Sequence, residues 1–349
     1  MKKINNNPNK LNLGFFAENG LTGAAHGERL RKLILKEDFL FKDNCFKTLK
    51  KNHVNVLQIL INFIIIIFKY KFPPSIIAAK YLHLNGPRQI RNSKIDTLYI
   101  DSLHIAFLLK NFNSNRIIVS VHNYDPDYLL ELSRLENSVI KSFFYKYESK
   151  ISKMIIRQLA KNPKIKIWTL TLKDFQSLAD LLGSENNLKL MPHQLPVYKN
   201  TNRQISKDYH KKINLLFMGG GLHAPNKEAL DFILKILDED DRLFANILGS
   251  SWQRKPHPRI KYHGYIEDLS TFFLDDFLFI CPVFSGSGIN MKIFTAIEHG
   301  LPGILSEFTK KPFDVYMHRF PNNNYDVVNS HDPKIWSNAI LEKYFKDKE

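Results

Sequence analysis

Cysteine is nearly missing. Cys45 and Cys281 are the only two in 349 residues, too few for a disulfide framework. Cys281 lies in the apolar run FLFICPV and reads as a small core residue, so a reducing cytoplasm is the expected compartment. Also missing is an unbroken apolar stretch of the roughly 20 residues that span a bilayer. The nearest approach, VNVLQILINFIIIIF at 54–68, is too short and is interrupted by Asn55, Gln58 and Asn62. The opening MKKINNNPNKLN has lysines with no apolar core behind them and is not read as a secretion signal. No His-x-x-x-His pair with a third ligand occurs, so no structural or catalytic metal is expected. Zinc spacings, a helix-turn-helix pattern and aromatic RNA-binding motifs are missing too, and nucleic acid is not an expected partner. Acid is scarce, with 34 Asp and Glu against 50 Lys and Arg, a formal charge of +16. That excess favours polyanionic partners without choosing among them.

What is present is ample apolar material in short runs. Hydrophobic residues make up 44% of the chain and charged residues 24%, enough to bury cores of two ordinary domains. Strand candidates fall at 11–16, 95–100, 116–121, 166–171, 213–219, 244–249, 277–283 and 303–306. Helical patterns fall at 24–36, 102–111, 126–160, 172–182, 226–237 and 290–299. Strands alternating with helices predict α/β architecture, a parallel sheet covered on both faces. The alternation breaks at 191–212, MPHQLPVYKNTNRQISKDYHKK, which reads as an interdomain linker. The expectation is two doubly wound, Rossmann-like domains, 1–198 and 199–330, followed by a C-terminal helix at 331–349 packing back towards the first. Ligand is expected in a cleft near the carboxyl ends of the strands.

Four constellations bear on chemistry. In FMGGGLHAPNKEAL, Gly219, Gly220 and Gly221 end an apolar strand just before a helix that starts near Pro225. This is either a ligand loop, where bare backbone lets a ligand approach, or a plain tight turn. In PVFSGSGINMKIFTAIEHGLP, Gly286, Ser287 and Gly288 lead into a helix-like run from Asn290 to His299. A helix N-terminus behind such a turn suits a diphosphate, and Lys292 lies one turn in. The plainer alternative is a strand-to-helix turn with a solvated lysine. In ENGLTGAAHGERLRKLI, Gly20, Gly23, Ala24 and Ala25 form a small-residue turn before a helix with Arg29 and Arg31, and this fits a phosphate wall or a surface turn equally. Finally, YIDSLHIAF places Asp101 and His104, and VSVHNYDPD places His122 and Asp125, just past strand ends. Histidines there reach a sugar hydroxyl or a phosphate, or serve as structural hydrogen-bonding groups.

In this order the pieces resemble glycosyltransferases of the GT-B fold, and within them the bacterial retaining enzymes of family 4. The closest match is INLLFMGGGLHAPNKEALDFILKIL together with RIKYHGYIEDLSTFFLDDFLFICPVFSGSGINMKIFTAIEHGLPGILS. The N-terminal half is a looser match. The resemblance implies a nucleotide diphosphate sugar as donor, no cofactor and no metal. It places the diphosphate at Ser287, Gly288 and Ile289 with Gly219–Gly221 nearby, and the base against Gly264, Tyr265 and Ile266. It turns His122 to the donor sugar, sets Gly23, Ala24 and His104 on the acceptor or phosphate side, and gives Lys227 or Lys292 the leaving diphosphate. The family's usual glutamate before an alanine is here Thr295, before Ala296; Glu298, one turn on, reaches the same helix face.

Residues 41–94 hold ten Lys and Arg and one acid, +9 of the total, around the 54–68 apolar run. The segment reads either as a core helix with solvated ends or as a docking face for an anionic membrane. The latter would make the chain peripheral at the inner face of the plasma membrane, facing a glycan or lipid-linked acceptor. Three rival readings stand beside a transferase: a catalytically silent GT-B protein binding a glycan or partner enzyme, a sugar-nucleotide epimerase, and a membrane-surface binding protein.

Overall fold

The computed structural model describes residues 10–14, 35, 46–48, 55–82, 95–191, 212–253, 255–266, 269–272, 277–286, 289–313 and 325–346. The chain divides near residue 194 into two compact units, each carrying one six-stranded parallel sheet.

The first unit contains β1 (Lys10–Gly14), β2 (Phe46–Thr48), α1 (Val56–Phe68), α2 (Ile76–Ala79), β3 (Ile95–Ile100), a 3-10 helix (Leu103–Asn111) and β4 (Ser114–Val121). It continues with α3 (Asp125–Leu135), α4 (Val139–Ala160), β5 (Ile165–Thr169), α5 (Leu172–Leu182) and β6 (Leu188–Leu190). The strand order is β2-β1-β3-β4-β5-β6. Central strands buried on both faces need apolar side chains at nearly every position. Accordingly Ile117, Ile118, Val119 and Val121 of β4 and Ile165, Ile167 and Trp168 of β5 are buried.

The expected single helix over 126–160 is two helices, α3 and α4, broken at Glu136–Ser138. The break has local hydrogen-bonding causes: Ser138 caps α4 by accepting from Lys141 N, and Ser142 Oγ donates to Ser133 O across the gap at 2.7 Å. Expected helix 102–111 is a 3-10 helix begun by Ser102, whose Oγ accepts from His104 N. Most of the expected helix at 24–36, the turn with Gly23 and Ala24, and most of the expected linker lie outside the described residues.

Glu148 fastens the first unit internally. It projects from α4, is fully buried, and accepts from Ser75 Oγ at 2.8 Å and from Ile76 N at 2.6 Å. Ser75 Oγ in turn accepts from Ala78 N, so one carboxylate on a long helix secures the N-terminus of the four-residue α2. Burial pushes the Glu148 carboxyl above its usual range, opposed first by the Ser75 hydrogen bond and then by those from the backbone.

The second unit runs β7 (Ile213–Met218), α6 (Ala224–Glu239), β8 (Leu243–Leu248), β9 (Ile260–Gly264), α7 (Leu269–Phe272), β10 (Phe277–Cys281), α8 (Met291–Glu298), β11 (Gly303–Ser306), α9 (Glu307–Lys310), β12 (Tyr325–Val328) and α10 (Pro333–Lys346). Its order, β12-β11-β10-β7-β8-β9, reverses between β7 and β10. The two strands pair Phe277 with Asn214, Leu278 with Leu215 and Phe279 with Leu216. The C-terminal helix α10 packs within its own unit: Trp336 is completely buried, its ring 5.9 Å from Phe232 of α6 and 6.1 Å from Phe284.

Glu148→Ala should lower stability by about 2–3 kcal/mol, because two donors lose their acceptor in the interior; urea denaturation measures it. Glu148→Gln isolates the charge. A carboxyl whose folded pKa is raised stabilises fully below the unfolded glutamate range and loses that contribution as pH rises through the folded value. The drop in melting temperature from pH 5 to pH 8 should therefore be smaller in Glu148→Gln than in wild type.

Candidate functional site

In a doubly wound sheet the place where strand order reverses leaves a crevice at the carboxyl ends. In the second unit that place is bounded by Gly219–Gly221 after β7 and by Ser285–Ile289 after β10, of which Ser287 and Gly288 lie outside the described residues. Around it the carboxyl edge is built from glycine backbone. Gly219 N donates to Leu248 O at 2.9 Å, and Gly249 N donates to Gly264 O at 2.7 Å, joining the ends of β7, β8 and β9. Gly249 has φ +122°, and a Cβ there would stand 1.8 Å from the Gly219 carbonyl oxygen. Only a residue without a side chain permits that approach. Tyr265 and Ile266 follow directly on Gly264, Tyr265 exposed and Ile266 half-buried.

Asn226, in the first turn of α6 and nearly buried, ties the crevice together. Its Nδ2 donates to Gly220 O at 2.9 Å, while its Oδ1 accepts from Lys292 Nζ at 2.6 Å. Lys292 thus reaches from the helix after β10 to the loop after β7. Its ammonium also lies 4.5 Å above the Phe217 ring. Burial lowers its pKa below the usual lysine range, as expected for a cation held away from water. Lys227, one residue beyond Asn226, points to solvent. The β10 loop joins the same corner: Ser285 Oγ donates to Glu228 Oε2 at 2.7 Å, and Gly286 lies over Pro225, to which an added Cβ would come within 3.6 Å.

Thr295 lies half-buried on α8, and its hydroxyl donates to Met291 O of its own helix at 3.3 Å. Such bonds to the carbonyl four residues back are common for mid-helix threonine. Glu298 is half-buried on the same helix. The Gly219–Gly221 loop, Gly264 and Lys292 are therefore joined through backbone contacts and the Asn226 amide, whereas the Thr295 hydroxyl bonds within its own helix.

The first unit carries the two histidines, paired across their motifs. His122 Nε2 is 2.9 Å from Asp101 Oδ1, and His104 Nε2 is 3.4 Å from Asp125 Oδ2. Each thus pairs with the carboxylate next to the other in sequence. The Asp101 side chain is 2% exposed and that of His122 is 32%. A buried carboxylate orienting a half-exposed imidazole leaves Nδ1 as the other polar atom of the ring. Burial raises the Asp125 carboxyl, opposed by the nearby His104 and then His122. His104 Nδ1 is buried without a hydrogen-bond partner among the described residues.

Among solved structures, Anabaena HepE in complex with UDP and glucose is 10% identical, covering 98% of this chain and 91% of HepE with a TM-score of 0.56. WaaG, a glycosyltransferase involved in lipopolysaccharide biosynthesis, is 10% identical over 97% of this chain and 95% of WaaG, with a TM-score of 0.55. The fold is that of GT-B glycosyltransferases. TarM is 15% identical over 72% of this chain, with a TM-score of 0.52, and this chain spans only 48% of TarM. No protein-family model matches the sequence. No curated protein matches it either.

Two residues of the crevice escape a reading of the sequence. Gly249 is signalled only by the end of FANILG, where a strand stops at a glycine beside two serines. Asn226 has no periodic signal, because a polar residue in a first helical turn ordinarily faces water. Gly249→Ala should destabilise the protein by more than about 2 kcal/mol, since positive φ and a backbone clash add. Gly183→Ala, at φ +65° with nothing within 4 Å of the added methyl, should cost only about 1 kcal/mol. Chemical denaturation of both variants makes the comparison.

Proposed function

We propose that this protein transfers a sugar from a nucleotide diphosphate sugar to a hydroxyl of a surface glycan or lipid-linked acceptor. The second unit holds the donor and the first takes the acceptor. The observation that carries this reading is the glycine-lined crevice at the reversal of the second sheet, with Lys292 fixed beside it by Asn226. The likeness to HepE, a protein seen with UDP and with UDP-glucose, supports a nucleotide-sugar donor.

In this reading the diphosphate lies on the backbone around Ser287, Gly288 and Ile289, with Gly219–Gly221 beside it. Lys292 and Lys227 supply positive charge as the phosphate oxygen departs, without a metal ion. The base rests on Gly264, Tyr265 and Ile266. His122, steadied by Asp101, holds a sugar hydroxyl, and Gly23, Ala24 and His104 belong to the acceptor or phosphate side. Because Thr295 bonds to its own helix, the ribose hydroxyls fall to Glu298. The acceptor oxygen bonds to the anomeric carbon on the face the diphosphate leaves, and a diphosphate oxygen takes the acceptor proton, so configuration is retained.

A catalytically silent protein of the same fold is the second reading, and Thr295 favours it, since the expected carboxylate is missing there. Calorimetry with UDP, GDP, ADP, CMP and dTDP tests the transferase reading. One diphosphate should bind, and Lys292→Met should weaken it about 10- to 100-fold, the loss of a charge-assisted contact of roughly 1.5–3 kcal/mol. The same variant removes a cation with a depressed pKa but leaves Asn226 Oδ1 without its donor, so its stability should change by no more than about 1–3 kcal/mol. His122→Ala should keep diphosphate affinity and lose sugar transfer, and chelators should leave transfer intact. Binding without hydrolysis or transfer, or no binding by folded protein, would overturn the transferase and leave the silent protein.

A further inference from the structure

The helix α1 is apolar on its inward and its outward face alike. Inward it buries Ile66, with Ile59, Phe63 and Ile65 packed against the core beside it, and a single buried amide: Asn62, 3% exposed, donates from Nδ2 to Ala79 O at 2.8 Å, and its Oδ1 accepts from Gln58 Nε2 at 2.9 Å. Its outward face is apolar. Leu57, Leu60, Ile61, Ile64 and Phe68, at helical spacing, are between 43% and 76% exposed, and Val56 is 75% exposed. A surface helix ordinarily turns a polar face outward, and apolar surface of this extent marks a site of interaction. The charge around it has one sign. Residues 55–82 carry Lys69, Lys71 and Lys80, all exposed, and no acid. A second apolar patch, Val139, Ile140 and Phe143, opens α4, and Lys80 Nζ lies 5.6 Å over the ring of neighbouring Phe144.

We propose that the exposed face of α1 docks on an anionic lipid bilayer, lying in the plane of the interface. At 13 residues the helix is about 20 Å long, short of the ~30 Å hydrocarbon core, and no helix among the described residues is long and apolar enough to cross a membrane. Leu57, Leu60, Ile64 and Phe68 enter the acyl boundary while Lys69, Lys71 and Lys80 meet anionic headgroups. Charge complementarity selects lipid: three cations with no ion pair among the described residues flank the apolar face, and the buried amide of Asn62 is already satisfied within the protein. This assignment does not rest on the donor site.

The test is flotation of the full chain with vesicles of phosphatidylcholine alone or with 30% phosphatidylglycerol, without nucleotide. Wild type should bind the anionic vesicles at least tenfold more tightly than the neutral ones. The triple variant Leu57→Gln, Leu60→Gln, Ile64→Gln should lose at least tenfold, and Lys69→Gln with Lys80→Gln about fivefold per lysine. In a separate variant, Ile64→Trp, indole emission should shift to the blue with anionic vesicles. Unchanged binding by the triple variant, or a wild type that stays free of both vesicles, would overturn the proposal. So would a dimer in sedimentation that the triple variant converts to monomer while vesicles remain unbound, which would assign the face to a second copy.

Discussion

The contact between the Gly219 carbonyl and Gly249 governs the second unit. Parallel strands diverge from one another as they end, because each chain turns away into its helix. Here β7 and β8 stay together one residue longer, by Gly219 N donating to Leu248 O, and Gly249 then passes against the carbonyl of Gly219. The consequence is a carboxyl edge of bare backbone, on which the β7 loop, the end of β9 and the start of α6 are fixed relative to one another. Asn226 completes this by fastening both the loop and Lys292. The fold supplies the crevice and the glycines give it its depth, while the amide supplies its electrostatic character.

The first unit achieves order differently. It uses buried carboxylates where the second uses bare backbone. Glu148 caps a short helix from a distance of 72 residues in sequence, and Asp174 does likewise, accepting from Thr171 Oγ1 at 2.6 Å and from Tyr124 N at 2.9 Å. Asp101 orients His122 and Asp125 faces His104. Glu148 and Asp174 satisfy donors that would otherwise be stranded in the interior, which is the condition for burying a charge at all.

Much of this was legible from residues alone, for physical reasons that also explain the gaps. Central strands such as INLLFM and FLFIC announce themselves because both faces are covered, and the α/β class follows from their alternation with helices. The edge strands Phe46–Thr48, Leu188–Leu190 and Tyr325–Val328 do not, being three or four residues long and paired on one side. Ile260–Gly264 hides for a related reason: as the edge strand beyond β8 it is only partly buried and carries Lys261 and His263. The Glu136–Ser138 break is invisible because none of its residues is a helix breaker. For the histidines, sequence places each beside a carboxylate, but the pairing crosses between loops and only three dimensions reveal it.

The Asn226 side chain faces two partners of opposite demand. A carbonyl oxygen only accepts and an ammonium only donates, so the amide orientation follows from its neighbours. Aspartate at 226 would face Lys292 well and oppose Gly220 with a second acceptor, and lysine or arginine would do the converse. Serine and threonine are too short to span both, and glutamine carries an extra carbon into a nearly closed space. Position 226 thus acts as a two-pronged electrical connector whose polarity admits one side chain, and the placement of the site's half-buried cation is encoded in that single amide.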